Sequence, residues 1–468
     1  MRESIPQENG RENKNRPLPP SASEGSFVSA RQKMDESIRA KESHENTKNI
    51  DLRDKIEENI EASLADRGQD SAIAKRSFLQ NKAVEKREPI DETSNNTVEK
   101  VTIITDDGAE IIAFAKSVTN ETFYEINSHG DVKVLKQSLD ENREIITERL
   151  TIKGETKAQI EQFLNIRRED DAGRRLSIAQ FYNIAPDQVP IPEELAGLKY
   201  MDRGHATKSE YAASVFDNLL KFNAVQPTAL RHEKEGLATY QLEAPGGKLT
   251  SKALQDVIEN KSRAKGAESI MRMACMDFLM RQTDRHINNI FWDEETEKFS
   301  GIDNGCANQL SQSEQLSVET PTGQEMNLAM PIDQYVSMPM DMVAIDEDWE
   351  LDEEAHKRIV ELFNNIDNHL KLMNDKLSPE EISALPEHVK QGRDAKAISD
   401  TYRLLHERTD EQGNVIPETS KIAKTEANEF LKRLYYLAVY KRPPKLDKKF
   451  NSENNLPIIK IILERHGR

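Results

Sequence analysis

Two short runs, Thr283-Asp284-Arg285-His286-Ile287-Asn288-Asn289-Ile290-Phe291-Trp292 and Phe299-Ser300-Gly301-Ile302-Asp303-Asn304-Gly305, constrain the fold more than any other part of the chain. Ile290–Trp292 and Phe299–Ile302 are β-rich and flank the polar turn Asp293–Lys298, which predicts a strand–turn–strand unit. Pairing of the two strands returns Asp303 to the side of Asn289. Ala267–Arg281, immediately upstream, is strongly apolar and reads as a buried helix, so the loop bearing Asp284 leaves a core element. Gly305 is expected to permit the sharp turn after Asp303.

The texture around this centre is uneven. Residues 1–97 are rich in Glu, Lys, Asn, Ser, Arg and Gln, with Phe27 and Phe78 as their aromatics. Such a segment buries too little apolar surface to offset its ordering entropy, so it reads as a mostly disordered leader, with transient helix at Asp51–Ala65. From Val101 the chain alternates. Val101–Thr105, Asp106-Asp107-Gly108 and Ala109–Ala115 predict a hairpin, and Glu121–Ile126 with Asp131–Lys136 a second one. Residues 140–208 are expected to form a helical insertion. Ser209–Phe222 reads as an amphipathic helix, with Tyr211, Val215, Leu219 and Phe222 on one face. Pro227–Arg231 and Leu237–Leu242 are strand candidates, and the chain beyond Asp333 is mainly helical and charged.

The residue types in the central stretch suit phosphoryl transfer. That reaction needs a carboxylate near the attacking group and oxygen ligands for a divalent metal that neutralises the phosphates. Asp284 and Asn289 stand five positions apart, the Asp-to-Asn spacing of a kinase catalytic loop, and Asp303-Asn304-Gly305 takes the place of the Asp-Phe-Gly metal motif. Asp-Arg-His-x-x-Asn followed by Ile-Asp-Asn-Gly resembles the phosphatidylinositol 3-/4-kinase superfamily and its relatives, which include atypical secretory-pathway protein kinases and kinase-like bacterial effectors. The resemblance spans roughly Val101 to His369, and its specific motifs fall between Met276 and Ala307.

The resemblance implies an α+β, bilobal protein-kinase-like fold. A β-rich N-lobe over 98–245 would precede a helical C-lobe over 246–375 and a helical C-terminal extension over 376–468. It implies ATP and Mg²⁺ or Mn²⁺, the metal on Asn289 and Asp303, with Asp284 and Arg285 as the catalytic pair. A lysine on the phosphates and a glutamate to hold it are also required. Glu210 is the expected glutamate. For the lysine we expect Lys136, which closes the strand Val132–Lys136, in preference to Lys199. Lys136 requires a segment of roughly 70 residues before the glutamate helix. There is no Gly-x-Gly-x-x-Gly loop, and Lys116-Ser117-Val118-Thr119-Asn120 stands where such a loop belongs, with Ser117 and Asn120 as phosphate donors. Glu243-Ala244-Pro245-Gly246-Gly247 follows a strand and resembles the hinge on which adenine sits, through Glu243 and Pro245. His286 is expected to support the loop, and Cys275 to lie in the core.

Charge and composition narrow the partners. Hydrophobic residues make up 36% of the chain and charged ones 32%, too polar for packing along the whole length. A formal charge of −18 argues against a nucleic-acid partner. Cys275 and Cys306 cannot make a disulfide framework, which points to a reducing, cytosolic site of action. No apolar run reaches bilayer length and no Sec-type signal is present, which suits an effector delivered into a host cell. A protein Ser/Thr hydroxyl is the first-choice acceptor. A phosphoinositide or inositol phosphate held by the basic segment 432–449 is the second. A pseudokinase binding module and a kinase-fold AMP transferase stay open as rivals.

Overall fold

Small and β-branched residues alternate along the strand-forming runs, and the alternation sorts them onto one face of a five-stranded sheet. The computed structural model describes residues 56–62, 64, 71–90, 98–118, 122–126, 132–139, 145–152, 204–234, 236–250, 252–254, 264–308, 315–319, 323–330, 337–345, 349–409 and 412–444. The chain divides into one unit of residues 53–408 and 415–468, to which every element below belongs, and a second of residues 1–52 and 409–414.

Helix α1 (Ser71–Asn81) leads into strands β1 (Val84–Pro89), β2 (Val98–Ile104) and β3 (Glu110–Ser117). A separate three-stranded sheet follows, made of β4 (Thr122–Ile126), β5 (Val132–Leu139) and β6 (Ile145–Ile152). Helix α2 (His205–Leu220), β7 (Thr228–Glu233) and β8 (Gly236–Leu242) complete the first region, and the five-stranded antiparallel sheet runs β1-β2-β3-β8-β7. Val101 and Ile103 of β2, Ala113 and Ala115 of β3, Ala238 and Tyr240 of β8 and Ala229 of β7 share a buried cluster with Leu79 of α1. The period of two places them on one face, and four alanines leave room for α1 to sit close.

This packing corrects the expected leader. From residue 56 onward the segment is part of the folded unit: Ile56, Ile60 and Leu64 are buried at helical spacing, Leu79 is fully buried, and β1 pairs with β2 along its length. Polar residues mask the signal because they are used in pairs. Arg76 meets Glu61, and Arg87 meets Glu99, Glu233 and the Tyr240 hydroxyl. The expected helical insertion is corrected as well, since its first described part, β6, is a strand paired with β5; residues 153–203 lie outside the described ones.

Every residue of α2 is buried, not one face of it. The sheet covers one side, and the C-terminal helices cover the other. After β9 (Gly247–Lys248) come α3 (Ala264–Met280), the hairpin β10 (Ile290–Asp293) and β11 (Lys298–Gly301), and a second hairpin, β12 (Gln315–Glu319) with β13 (Glu325–Ala329). The rest is helical: α4 (Met338–Ile345), α5 (Glu353–Met373), α6 (Pro379–Ala384), α7 (Glu387–Lys390), α8 (Arg393–His406) and α9 (Pro417–Tyr440). Phe216 of α2 stacks on Phe430 of α9 at 4.6 Å and lies 5.6 Å from Tyr402 of α8. The described residues past 376 are therefore largely helical, as expected, and α8 and α9 pack into the core. The chain is β-rich in its N-terminal part and helical in its C-terminal part.

The described part of the basic segment 432–449 is packed into the fold through some of its cations. Arg433 is fully buried, donating through Nε to Leu279 O at 2.9 Å, Lys432 pairs with Glu429, and Arg442 donates to Val343 O. Arg433 and Arg442 are committed to the fold, whereas the Lys432 side chain is partly exposed and Lys441 is exposed. Positions 445–449 lie outside the described residues. No described helix is long and apolar enough to cross a membrane.

Candidate active site

Strand β3 ends by directing Lys116 toward α2, and the helix answers with Glu210. Lys116 Nζ lies 2.5 Å from Glu210 Oε1 and 2.7 Å from Asp303 Oδ1, so one ammonium bridges the sheet, the helix and the loop after β11. Burial works against the Lys116 charge, but the Asp303 and Glu210 carboxylates more than offset it and hold the ammonium protonated well above its ordinary range. Lys116 in turn holds the Asp303 carboxyl below its ordinary value, against the effect of burial. Asp303 adopts a left-handed backbone (φ 55°), a conformation unusual outside glycine and one that Asp tolerates better than most residues. Gly305, expected to take that turn, has no such φ. A Cβ there would lie 3.1 Å from Ala206 Cβ, so its glycine serves close packing on α2.

The lysine of this constellation is Lys116, which corrects the expectation of Lys136. Lys136 lies on β5, in a sheet that shares no hydrogen-bonded strand with β3 or β8, whereas β3 pairs directly with β8. Lys199 and Asn120 lie outside the described residues. Ser117 belongs to β3 itself, paired opposite Ala238, so it continues the strand instead of opening a phosphate loop. A signal for Lys116 was present in Ala113-Phe114-Ala115-Lys116, which has the form of the Val-Ala-Ile-Lys strand of kinases.

The loop after α3 is built from the backbone outward. Asn289 donates through Nδ2 to Asp284 O at 2.9 Å, which closes the loop and leaves its amide oxygen as the free acceptor of the side chain. Ile302 N donates to Asn289 O at 3.0 Å, so the expected return of the second strand beside Asn289 is present. Gln282, fully buried, accepts from Asp284 N at 3.3 Å and donates to Asp303 O at 3.2 Å. The Asp284 and Asp303 side chains are 44% and 43% exposed, and both carboxylates open toward solvent. Partial desolvation, with the charge of Asp303 second, pushes the Asp284 carboxyl up to about 7, where it can accept a proton from a hydroxyl near neutral pH. His286 Nδ1 accepts from Asn288 N, so the ring carries its proton on Nε2, which lies 3.8 Å from Asp284 Oδ1.

Arg285 does not reach the open face. It is fully buried, its Nε donates to Asp277 Oδ1 at 3.2 Å, and its other nitrogens reach Asn289 O, Ile302 O and Asn304 Oδ1. Its expected place in a catalytic pair is corrected to a positioning one. Asp277 is itself held by Ser337 at 2.8 Å, on the turn that opens α4. Cys275 is fully buried, as expected of a core thiol.

The stretch after β8 is likewise partly committed. Glu243 N donates to Ile112 O at 3.0 Å, and Pro245 has no N–H, so these two residues offer an adenine no backbone N–H donor. Gly246 lies so close to β10 that a Cβ would fall 2.1 Å from Trp292 O.

The donor set fits a hard divalent cation: one carboxylate, one amide oxygen, and no cluster of three or more His, Cys, Asp or Glu among the described residues. Mg²⁺ is commonly held in this way, by few protein ligands plus water and substrate phosphates.

One stability consequence arises next to the site. His205, which contacts Ala307 O at 3.0 Å, and His406, whose Nε2 has no protein partner, are buried with ring centroids 5.9 Å apart. Desolvation pushes His205 down to about 4 and His406 well below its ordinary value. Both fold neutral and must gain a proton on unfolding below pH 6.5, so stability is lost as pH falls through that value. His205 contributes about 2 kcal/mol of loss by pH 5, and His406 adds to it in the same direction. Asp217, pushed up to about 7 by burial, contributes with the opposite sign, so the readout is a difference. Denaturant unfolding at pH 7 and pH 5 should show a smaller acid loss in His406→Leu than in the wild type. Equal losses would contradict the assignment.

No protein-family model and no curated protein matches the chain. Among solved structures, a likeness appears to the Helicobacter pylori proinflammatory kinase CtkA, at 11% identity over 75% of this chain and 97% of that one, with a TM-score of 0.27. A superposition that loose adds nothing to the geometry above.

Proposed function

We propose that the chain is an ATP-dependent phosphotransferase of atypical kinase type, acting on a protein Ser/Thr hydroxyl. The observation that carries this reading is the Lys116 ammonium shared by Glu210 and Asp303, facing a loop that presents Asp284 and Asn289. Asp303 and the Asn289 amide oxygen would hold Mg²⁺ or Mn²⁺, which supplies charge neutralisation on the phosphates. Lys116 would bind the phosphates and is fixed for that by Glu210. Asp284 would orient the acceptor hydroxyl and take its proton. Carbonyl oxygens after β8 would meet the adenine amino group.

The commitment of Arg433 and Arg442 to the fold weighs against a phosphoinositide headgroup at that segment. The intact lysine–glutamate–aspartate bridge weighs against a pseudokinase. Delivery as an effector is part of this proposal and rests on the family resemblance.

Asp303→Ala is expected to abolish metal-dependent nucleotide binding. A ligand at a hundredfold its Kd stabilises a folded protein by about 2.7 kcal/mol. ATP with Mg²⁺ should therefore raise the melting temperature of the wild type and leave the variant unmoved. Equal stabilisation of both would remove Asp303 from the metal site.

A further inference from the structure

Asn304 occupies the position after the metal-site aspartate, and it is fully buried. Its Nδ2 donates to Glu210 Oε2 at 3.1 Å, and its Oδ1 accepts from Arg285 Nη2. The neighbours settle the amide orientation, because a carboxylate only accepts and a guanidinium only donates. Glu210 is thereby used on both oxygens, Oε1 by Lys116 and Oε2 by Asn304. Arg285 directs Nε to Asp277 and Nη1 to Asn289 O and Ile302 O. An unbroken buried polar chain runs Lys116–Glu210–Asn304–Arg285–Asp277–Ser337, from β3 through α2 and the metal loop to the turn before α4.

We infer that Asn304 is a positioning residue that makes the Lys116–Glu210 pair and the Asp284–Asn289 loop form and break as one unit. The functional part rests on the phosphotransferase reading; the coupling itself does not. Two features support it. Among the described residues, Asn304 is the side chain bonded both to Glu210 and to the arginine that holds the backbone of both loops. In addition, α2 is clamped by Phe430 and Tyr402 on the side away from the sheet, so Glu210 cannot follow a displaced metal loop by swinging with its helix. Loss of the Asn304 bridge then has to appear as disorder in the loop.

Asn304→Asp tests this with an almost isosteric change. It keeps the bond to Arg285 but sets a carboxylate against Glu210. Adding Glu210→Gln restores the contact with amide and carboxylate exchanged. In the full chain, amide hydrogen exchange of Asp303–Ala307 is expected to speed up about ten- to a hundredfold in Asn304→Asp, the range of a lost hydrogen bond to a charged group. The double variant should recover most of that protection. If the two changes simply add, or if Asn304→Asp leaves exchange at 303–307 unchanged, Asn304 does not couple the two parts. In the phosphotransferase assay, Asn304→Asp should lower kcat and raise KM for ATP, since the displaced loop carries Asp303, and the double variant should recover part of both. A wild type that transfers nothing while the exchange cycle is non-additive sinks the phosphotransferase reading and leaves the coupling standing. An active wild type with an additive cycle does the reverse.

Discussion

Lys116→Ala is expected to lower phosphoryl transfer by at least about 10²- to 10³-fold in kcat, the usual effect of removing one preorganised electrostatic contact to a transition state. Glu210→Ala should be comparably damaging, since its Oε1 contacts Lys116 at 2.5 Å. Because the two act as a unit, the double variant should be little worse than either single one. Lys136→Ala should be nearly silent, as β5 belongs to another sheet. Removing Lys116 also strips Glu210 and Asp303 of their counter-ion, and a broken buried pair costs about 3–5 kcal/mol. Circular dichroism melts of each variant must therefore accompany the kinetics. A folded Lys116→Ala with near wild-type turnover would dismantle the site as described.

Removing residues 1–96 is expected to destroy cooperative folding. The cut takes away α1, β1 and Leu79, whose truncation alone should cost about 2–5 kcal/mol against a typical total stability of about 5–15. It also takes Arg87, the ion-pair partner of Glu99 and Glu233 at the sheet. The truncated chain should show no sigmoidal thermal transition where the full chain has one. A melt close to that of the full chain would mean that the sheet begins at β2.

The contrast between these two regions explains what the amino-acid order reveals. The strand–turn–strand at 290–301 and the convergence of Asn289 with Asp303 were legible, because strand alternation and turn chemistry are local and the functional residues sit at fixed offsets from them. Val101–Ala115 was legible for the same reason. The stretch 56–89 was not, because β1 (Val-Glu-Lys-Arg-Glu-Pro) is an edge strand whose charged side chains stay half-buried or exposed and pair across the sheet. Composition measures apolar content and cannot register that use of charge. Lys116 was overlooked as a partner for Glu210 because the two are separated by 94 positions, with a whole sheet inserted between them. Only the register of β3 against β8 brings the lysine to α2. Arg285 was misjudged because a cation beside a catalytic aspartate looks the same in sequence whether it faces substrate or the core; burial decides.

The helical C-terminal region illustrates the same limit. Its helices were expected, but their attachment to α2 depends on long-range partners such as Phe216 with Phe430, and Arg281 with Glu426. No periodicity within one segment encodes which other segment it meets.

The most direct measurement of the central claim is incubation of the full chain with protein substrate, Mg²⁺ or Mn²⁺, and ATP labelled in parallel at the γ- or α-phosphorus. Wild type should place γ-label, and no α-label, on protein hydroxyls, and Asp284→Ala should abolish the signal while retaining the ATP-dependent rise in melting temperature. Transfer of α-label would assign nucleotidyl transfer to the same site. Undiminished γ-label with Asp284→Ala would contradict the account at its centre.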